Sequence, residues 1–228
     1  MRLIVATYNT HGGIGIDRRF DAQRIADVVA ELNADVIALQ ELEFHTHANM
    51  LDILHERTGF HAIAQRTFAR DNGAFGNGLL SRWPVTSSVP IDLSVPGREP
   101  RGAIAATIDC DGTLLRIVAT HLGLRPAERA EQARRLVAFV GHDTLPTLLA
   151  GDINEWLMPR RALRALHAHF GESPARATFP SPLPMIALDR VWTSPASLLR
   201  SVHAHRSPKA LRASDHLPLV ATIEMPPA

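Results

Sequence analysis

Five apolar runs of this sequence end in polar residues that could do chemistry. The runs are residues 3–9, 36–41, 117–121, 148–154 and 208–216, of which the last is the least strand-like. A strand that stops at its carboxyl end can hold the side chain that follows it rigidly against a cleft. The terminal residues include carboxylates, amides and histidines, which bind cations and manage protons in hydrolysis.

The run 36–41, Val-Ile-Ala-Leu-Gln-Glu, delivers a carboxylate at the end of a strand with a buried pattern. Hard cations such as Mg²⁺ take oxygen ligands and keep several of their waters. We therefore predict that Glu41 is a metal ligand. Taken alone, a Glu at this place is also typical of a solvated strand edge.

The sequence Gly-Asp-Ile-Asn at 151–154 puts a carboxylate and an amide two residues apart in a tight turn. In isolation this pattern also fits a structural Asx turn. In a phosphoesterase, Asp152 would orient or deprotonate the attacking water. Asn154 would donate hydrogen bonds to the charge that develops on the phosphorus oxygens.

The C-terminal part of the chain supplies Asp189 and the pair Asp215-His216. A catalytic histidine needs a partner on its second ring nitrogen to fix its tautomer and orientation, and Asp189 could serve His216 in this way. Asp215 would then be available to a metal ion. Each of these residues alone is more often structural.

Two further residues are candidates for substrate binding. Asn77 lies between glycines, and Arg101 lies in the run Arg-Glu-Pro-Arg-Gly, so both could reach phosphate oxygens. For Arg101 a solvated surface position is an equally good interpretation.

The elements that must position these residues alternate along the chain. Helical spacing predicts helices at 21–32, 47–58, 126–140 and 160–170, and aliphatic runs predict strands at 3–6, 35–39, 79–80, 103–108, 114–119, 147–150, 188–192 and 217–223. Many strands with a few helices predict an α/β sandwich in which helices cover the sheets. The proline-rich stretch 171–184 is typical of a loop at a rim. We expect one domain over residues 1–228.

The composition restricts the function classes only weakly. The formal net charge of the 228 residues is +1, so the overall field does not indicate a nucleic-acid partner. The single Cys110 excludes an internal disulfide. We see neither a signal peptide nor a transmembrane segment in the sequence, and no obligate protein partner is evident, so we expect a cytoplasmic location.

Seven short motifs, taken in order, resemble the endonuclease/exonuclease/phosphatase superfamily. They are Tyr-Asn-Thr-His at 8–11, Leu-Gln-Glu at 39–41, Gly-Asn-Gly-Leu-Leu-Ser-Arg at 76–82, Thr-His-Leu at 120–122, Gly-Asp-Ile-Asn at 151–154, Leu-Asp-Arg-Val at 188–191 and Ser-Asp-His at 214–216. The resemblance covers nearly the whole chain. It implies a four-layer sandwich of two packed mixed sheets flanked by helices, with the active site at one end of the sheets.

The resemblance also implies roles for matching positions. Asn9, Glu41 and Asp215 would surround Mg²⁺ or Mn²⁺, while Asp152 and Asn154 would act on the water and the phosphate. Asp189 would support His216. His121 matches the histidine of the deoxyribonuclease-I-like branch, where related abasic-site endonucleases usually carry a tyrosine.

The motifs predict the bond that is cleaved and leave the substrate open. We predict a phosphodiesterase that acts by in-line attack of water on nucleic acid or on a phospholipid headgroup. The alternatives are a phosphomonoesterase of the same fold and a non-catalytic phosphate-binding or scaffold protein. Local groups of arginines are the candidates for nucleic-acid contact, although most of them are expected on solvated helix faces. The apolar stretches 156–158 and 179–185 are the candidates for lipid contact, although each is more typical of core packing.

Overall fold

The computed structural model describes residues 1–45, 49–70, 73–141, 144–156 and 161–225. In this part of the chain, a six-stranded sheet has the order β10-β11-β1-β2-β4-β3, and a five-stranded sheet has the order β5-β6-β7-β8-β9. The strands are β1 (Arg2–Asn9), β2 (Val36–His45), β3 (His61–Arg70), β4 (Gly73–Ser81), β5 (Val85–Asp92), β6 (Gly102–Cys110), β7 (Thr113–His121), β8 (Thr147–Asp152), β9 (Asp189–Ser194), β10 (Leu199–Ala204) and β11 (Leu219–Glu224).

Helices cover the outer faces of both sheets and make four layers. The helices are α1 (Ala22–Glu31), α2 (Met50–Thr58), α3 (Pro126–Val140), α4 (Arg161–Phe170) and the short α5 (Ala210–Ala213). One apolar core fills the space between the sheets, a second lies under α1, α2 and α5, and a third lies under α3 and α4. The predicted α/β sandwich with two mixed sheets and flanking helices is confirmed.

The helix boundaries follow the local signals in the sequence. The Asp21 carboxylate accepts a hydrogen bond from the Arg24 amide and caps α1, and Pro126 opens α3. The predicted starts of two helices at positions 47 and 160 lie outside the described residues. The prediction missed three strands, β3, β5 and β10, and β5 shows why: it is an almost fully exposed edge strand without an apolar run.

The run 208–216 is not a strand, which corrects the weakest of the five predicted runs. It folds into α5 followed by an irregular segment at Ser214. The Ser214 hydroxyl donates to the carbonyl oxygen of Asn9 at 2.8 Å, and Leu217 N donates to the carbonyl oxygen of Thr178 at 2.8 Å. These hydrogen bonds hold the segment in place without pairing it to a β-strand, so Asp215 and His216 reach the site from a loop.

Gly151 allows β7 and β8 to approach closely just before Asp152. A Cβ atom at this position would lie 1.9 Å from the carbonyl oxygen of Thr120, which is backbone and cannot move alone. We expect Gly151→Ala to lower the free energy of unfolding by roughly 1–3 kcal/mol or more. Thermal denaturation would show this as a fall of about 2–4 °C per kcal/mol. Ser88→Ala, on the exposed strand β5, is the control, and an equal Tm for Gly151→Ala and wild type would contradict the prediction.

Candidate active site

Strand register brings the predicted residues into two rows. In the five-stranded sheet, His121 pairs with Asp152 across the parallel β7/β8 ladder, and Asp152 pairs with Asp189 across β8/β9. In the six-stranded sheet, Asn9 pairs with Gln40, next to Glu41. Parallel strands end at the same edge of a sheet, and the two sheets pack face to face, so the two rows meet.

Asn9 connects the two rows through its side-chain amide. Its Nδ2 donates to Glu41 Oε1 at 3.1 Å and to Asp152 Oδ2 at 3.0 Å, while its Oδ1 accepts from the His11 amide at 3.0 Å. The amide nitrogen therefore holds two carboxylates that would otherwise repel each other. The Asn9 oxygen has a second lone pair, so the bond from His11 leaves it able to bind the metal ion that the resemblance implied.

Glu41 is turned into the cleft by an irregularity in β2. The β2/β4 register shifts between Leu39 and Leu42, and Glu41 has a φ of 53°, which is unusual for a residue with a Cβ. A bulge of this kind re-aims a side chain at the cost of local strain, and such strain is concentrated at functional sites. The strand end that the sequence indicated is therefore a bulge inside a longer strand.

The Asp189–His216 pair forms as the sequence predicted. His216 Nδ1 lies 2.9 Å from Asp189 Oδ2, and the Thr178 hydroxyl donates to the same oxygen at 2.6 Å. His216 Nε2 faces Asp152 Oδ2 at 3.7 Å. Burial disfavours the charged ring, but the carboxylates of Asp189, Asp152 and Asp215 outweigh it and raise the pKa of His216 to about 10. His216 is thus held as a cation.

Asp152 lies at the centre of the site and is 1% exposed. Burial, joined by the charge of Asp189, raises the pKa of its carboxyl, although His216 and the bond from Asn9 act in the opposite direction. Its Oδ1 accepts a hydrogen bond from the backbone N–H of Asn154 at 2.8 Å, as in an Asx turn. A buried carboxylate with a raised pKa is suited to accept a proton near neutral pH.

His121 is held in the neutral state, in contrast to His216. Arg101 Nη1 lies 2.9 Å from its Nδ1, and Asn154 Nδ2 lies 3.0 Å from its Nε2. Both neighbours are donors, and a protonated imidazole has no acceptor, so these contacts disfavour the imidazolium. Burial and then the positive charges of Arg101 and His216 lower the pKa of His121 well below its usual value.

Asn77 and Arg101 both line the same cleft as these groups. Asn77 is buried, and its Nδ2 donates to the carbonyl oxygen of Gly102 at 2.8 Å. Arg101 also pairs with Glu99 at 2.9 Å, and its side chain is 12% exposed. The solvated-surface interpretation of Arg101 is therefore excluded, and its side chain lies in the cleft.

The cleft has a volume of about 650 Å³ and carries aromatic side chains that the sequence did not indicate. Phe68 on β3 and Phe75 on β4 stack at 5.7 Å, and Trp156 and Phe179 also line the cleft. No local pattern marks these residues, because they come from different elements and meet only in the folded chain. Leu157 and Met158, named with Trp156 in the sequence, lie outside the described residues.

A buried ion pair supports the loop that carries Asn154. Glu155 and Arg129 are both at least 95% buried, with Arg129 Nε 3.7 Å from Glu155 Oε2. Arg129 Nη1 also donates to the carbonyl oxygen of Leu124 at 2.7 Å. The sequence analysis missed this support, since both residues resemble ordinary surface charges.

The donor groups of the site fit a hard divalent cation. Glu41, Asp152 and Asp215 line the cleft together, and ligand atoms of Asp152, Asp189 and His216 lie within 4.8 Å of one another. Carboxylate oxygens are the ligands that Mg²⁺ and Mn²⁺ prefer. Because Asp189 and His216 are bonded to each other, the carboxylates of Glu41, Asp152 and Asp215 remain as oxygen donors of the cleft.

Two face-to-face mixed sheets with this cluster at one end define a deoxyribonuclease-I-like α/β sandwich. The chain belongs to the Endonuclease/Exonuclease/phosphatase family, whose family model matches residues 6–216. It is 30% identical to the uncharacterized protein YbhP of Escherichia coli K12 over 97% of this chain and 96% of that protein. None of the helices in the described ranges is long and apolar enough to cross a membrane.

Solved structures with the same fold include proteins of different activities. An endonuclease/exonuclease/phosphatase from Beutenbergia cavernae has a TM-score of 0.79 and 22% identity, covering 98% of this chain and 72% of its own. The human Nocturnin catalytic domain, with bound sulfate, has a TM-score of 0.78 and 20% identity, covering 98% and 94%. A mannosyl-6-phosphatase from Bacteroides thetaiotaomicron has a TM-score of 0.75 and 20% identity, covering 96% and 98%.

Proposed function

We propose that the protein is a divalent-metal-dependent hydrolase that cleaves a phosphodiester by in-line attack of water. The observation that carries this proposal is the position of Asp152 between a neutral and a cationic histidine. Its Oδ2 lies 3.6 Å from His121 Nε2 and 3.7 Å from His216 Nε2, in a cleft large enough for substrate. Carboxyl groups with a raised pKa in a cleft are concentrated at catalytic sites, which favours an enzyme over a scaffold protein.

Each group has a distinct role in this proposal. Glu41 and Asp215, with Asp152 beside them, would hold Mg²⁺ or Mn²⁺, which supplies Lewis-acid stabilisation of the phosphoryl charge. Asp152 orients the attacking water and accepts its proton. His216, kept charged by Asp189, stabilises the negative charge on the phosphoryl oxygens. Asn154 Nδ2 bonds to His121 and to the carbonyl oxygen of Leu122, and it would donate to a phosphoryl oxygen in exchange for the bond to His121.

The charge of the cleft favours a diester over a monoester. A phosphate monoester carries about −1.5 to −2 charges near neutral pH, whereas a diester carries one. Among the described lining residues, Arg101 and His216 are cationic and four residues carry carboxyl groups, so that even with a divalent cation little positive charge is left for the second charge of a monoester; the carboxyl groups are those of Glu41, Glu99, Asp152 and Asp215. We therefore infer that Arg101 and Asn77 bind a singly charged phosphate, with nucleic acids and phospholipids as the two substrate classes that contain it.

Hydrolysis of bis-p-nitrophenyl phosphate tests the proposed reaction. We expect turnover with Mg²⁺ or Mn²⁺ and its loss in EDTA, because the carboxylates need the cation to stabilise the phosphoryl charge. The readout is p-nitrophenolate absorbance, and wild type is compared with the surface variant Glu224→Gln, which should behave alike. Absence of turnover with either metal would sink the proposal, and faster turnover of p-nitrophenyl phosphate would make the protein a monoesterase.

A further inference from the structure

Exposed apolar side chains gather around the mouth of the cleft. Among the described residues, the four most exposed large hydrophobic side chains are Met185 at 70%, Leu124 at 69%, Leu183 at 64% and Trp156 at 57%. All four lie in loops at the end of the sheets that carries the site. Ile16 and Phe20 are also about half exposed, in the loop that follows β1. We refer to these six residues as the apolar collar.

Three of the four loops that carry the collar lie beside the catalytic groups. Leu124 and Trp156 follow the strands that end in His121 and Asp152, and both line the cleft. Leu183 and Met185 lie on a turn closed by the bridge between Phe179 and Ile186, whose side chains also line the cleft.

The β1 loop adjoins the same site through His11. His11 Nδ1 lies 3.1 Å from the carbonyl oxygen of Ile14 and 3.7 Å from Asp215 Oδ1. The β1 loop therefore reaches the site through His11, while Leu124 and Trp156 line the cleft itself. Exposed apolar side chains that gather beside a cleft are typical of an interaction site, because burying them releases water.

Exposed arginines lie beside the collar residues. Arg18 and Arg19 are exposed between Ile16 and Phe20, and Arg125 is exposed next to Leu124. The two acidic residues beside Ile16 and Phe20, Asp17 and Asp21, both pair with Arg24, at 3.0 Å and 3.6 Å. Apolar side chains interleaved with exposed arginines complement a surface that has an apolar interior and anionic headgroups.

The interior of the cleft is poorly suited to a nucleic-acid strand. A protein that follows a phosphate backbone needs a row of cationic side chains, since each neutralised phosphate adds to affinity. The described lining contains one arginine, Arg101, and its charge is shared with Glu99. A cleft that holds one phosphate and has apolar side chains at its mouth complements a membrane lipid, whose headgroup phosphate lies above an apolar bilayer interior.

We propose that the apolar collar docks on an anionic phospholipid surface and that the phosphodiester cleaved in the cleft belongs to a membrane phospholipid. The docking surface is inferred from the exposed collar residues and the arginines beside them. The identity of the substrate rests, in addition, on the phosphodiesterase function proposed above.

Vesicle binding tests the docking surface. The full chain is sedimented with vesicles of pure phosphatidylcholine and with vesicles of phosphatidylcholine and phosphatidylglycerol in equal amounts. We expect binding to the mixed vesicles, and a reduction of roughly tenfold or more in Leu183→Ser/Met185→Ser, because two apolar side chains no longer insert. Neither residue lines the cleft, so turnover of bis-p-nitrophenyl phosphate by this variant should equal that of wild type.

A matched pair of exposed apolar residues provides the control. Val89 and Leu114 are 50% and 41% exposed outside the collar. Val89→Ser/Leu114→Ser should bind vesicles like wild type. Equal losses in both double variants, or no vesicle binding by wild type, would overturn the docking surface. Continued turnover of the soluble diester would then leave the proposed hydrolysis intact.

The substrate is tested by release of the phosphate-containing headgroup from the mixed vesicles, beside nicking of plasmid DNA. Headgroup release that falls in the collar variant supports the proposal. Vesicle binding without headgroup release, or plasmid nicking that falls in the collar variant, overturns the phospholipid as substrate. If the wild-type protein does not hydrolyse bis-p-nitrophenyl phosphate, the result instead contradicts the proposed hydrolytic function.

Discussion

Asp152→Asn is expected to reduce kcat for bis-p-nitrophenyl phosphate by roughly 10²–10⁴-fold, the range for loss of a general base. The substitution keeps the size of the side chain and leaves an oxygen that can still accept the 2.8 Å hydrogen bond from the backbone N–H of Asn154. It removes the group that would accept the proton of the attacking water. Steady-state kinetics with saturating Mn²⁺ is the measurement, and Glu224→Gln is the matched control for loss of a carboxylate.

The stability of the same variant in EDTA tests whether the Asp152 carboxyl has a raised pKa in the metal-free folded protein. The pKa of Asp152 is raised in the folded protein, mainly by burial. A group with a raised folded pKa contributes stability that is present below its unfolded pKa and is lost as the pH rises through the folded pKa. The Tm of Asp152→Asn minus that of wild type should therefore become more positive between about pH 4 and pH 8. A difference that does not change with pH, or activity near wild type, would contradict the assignment of Asp152.

His216→Ala is expected to lower kcat by about a thousandfold, because a buried cation that faces the phosphoryl oxygens is lost. Asp189→Asn should cause a loss of similar size, since it removes the carboxylate bonded to His216 Nδ1 at 2.9 Å. Groups that act as a unit are not additive. The double variant should therefore be little worse than either single variant in steady-state kinetics.

The pH–rate profile of Asp189→Asn distinguishes this pair from a merely structural contact. Asp189 is the largest of the influences that raise the pKa of His216. Without its charge the folded pKa of His216 falls, so the cationic ring is lost at lower pH. The alkaline limb of the profile should move to lower pH, whereas Glu224→Gln should leave it in place. Additive losses in the double variant, or an unmoved alkaline limb, would rule out the proposed pairing.

Most of the elements were predictable because their signals are local. The cap at Asp21 and the proline at position 126 set helix ends in agreement with the structure. The buried strands β1, β2, β7 and β8 have continuous apolar runs that can be recognised from the sequence. The exposed strand β5 could not be recognised, since an edge strand with polar residues has the same pattern as a loop.

The candidate site was predictable in its members, because strand ends that carry carboxylates, amides and histidines are few and occur in a characteristic order. What the sequence determined is therefore the set: Asn9, Glu41, Asn77, Arg101, His121, Asp152, Asn154, Asp189, Asp215 and His216. It also determined that Asp189 and His216 could pair.

Only the tertiary structure decided which states these groups adopt. Two histidines with the same intrinsic pKa take different charge states, neutral and cationic, because Arg101 contacts His121 and Asp189 contacts His216. The bulge at Glu41 and the collar at the mouth likewise depend on residues distant in the chain. A pKa, a bulge or an exposed surface is set by neighbours in space, and sequence order specifies those neighbours only after the sheets have packed.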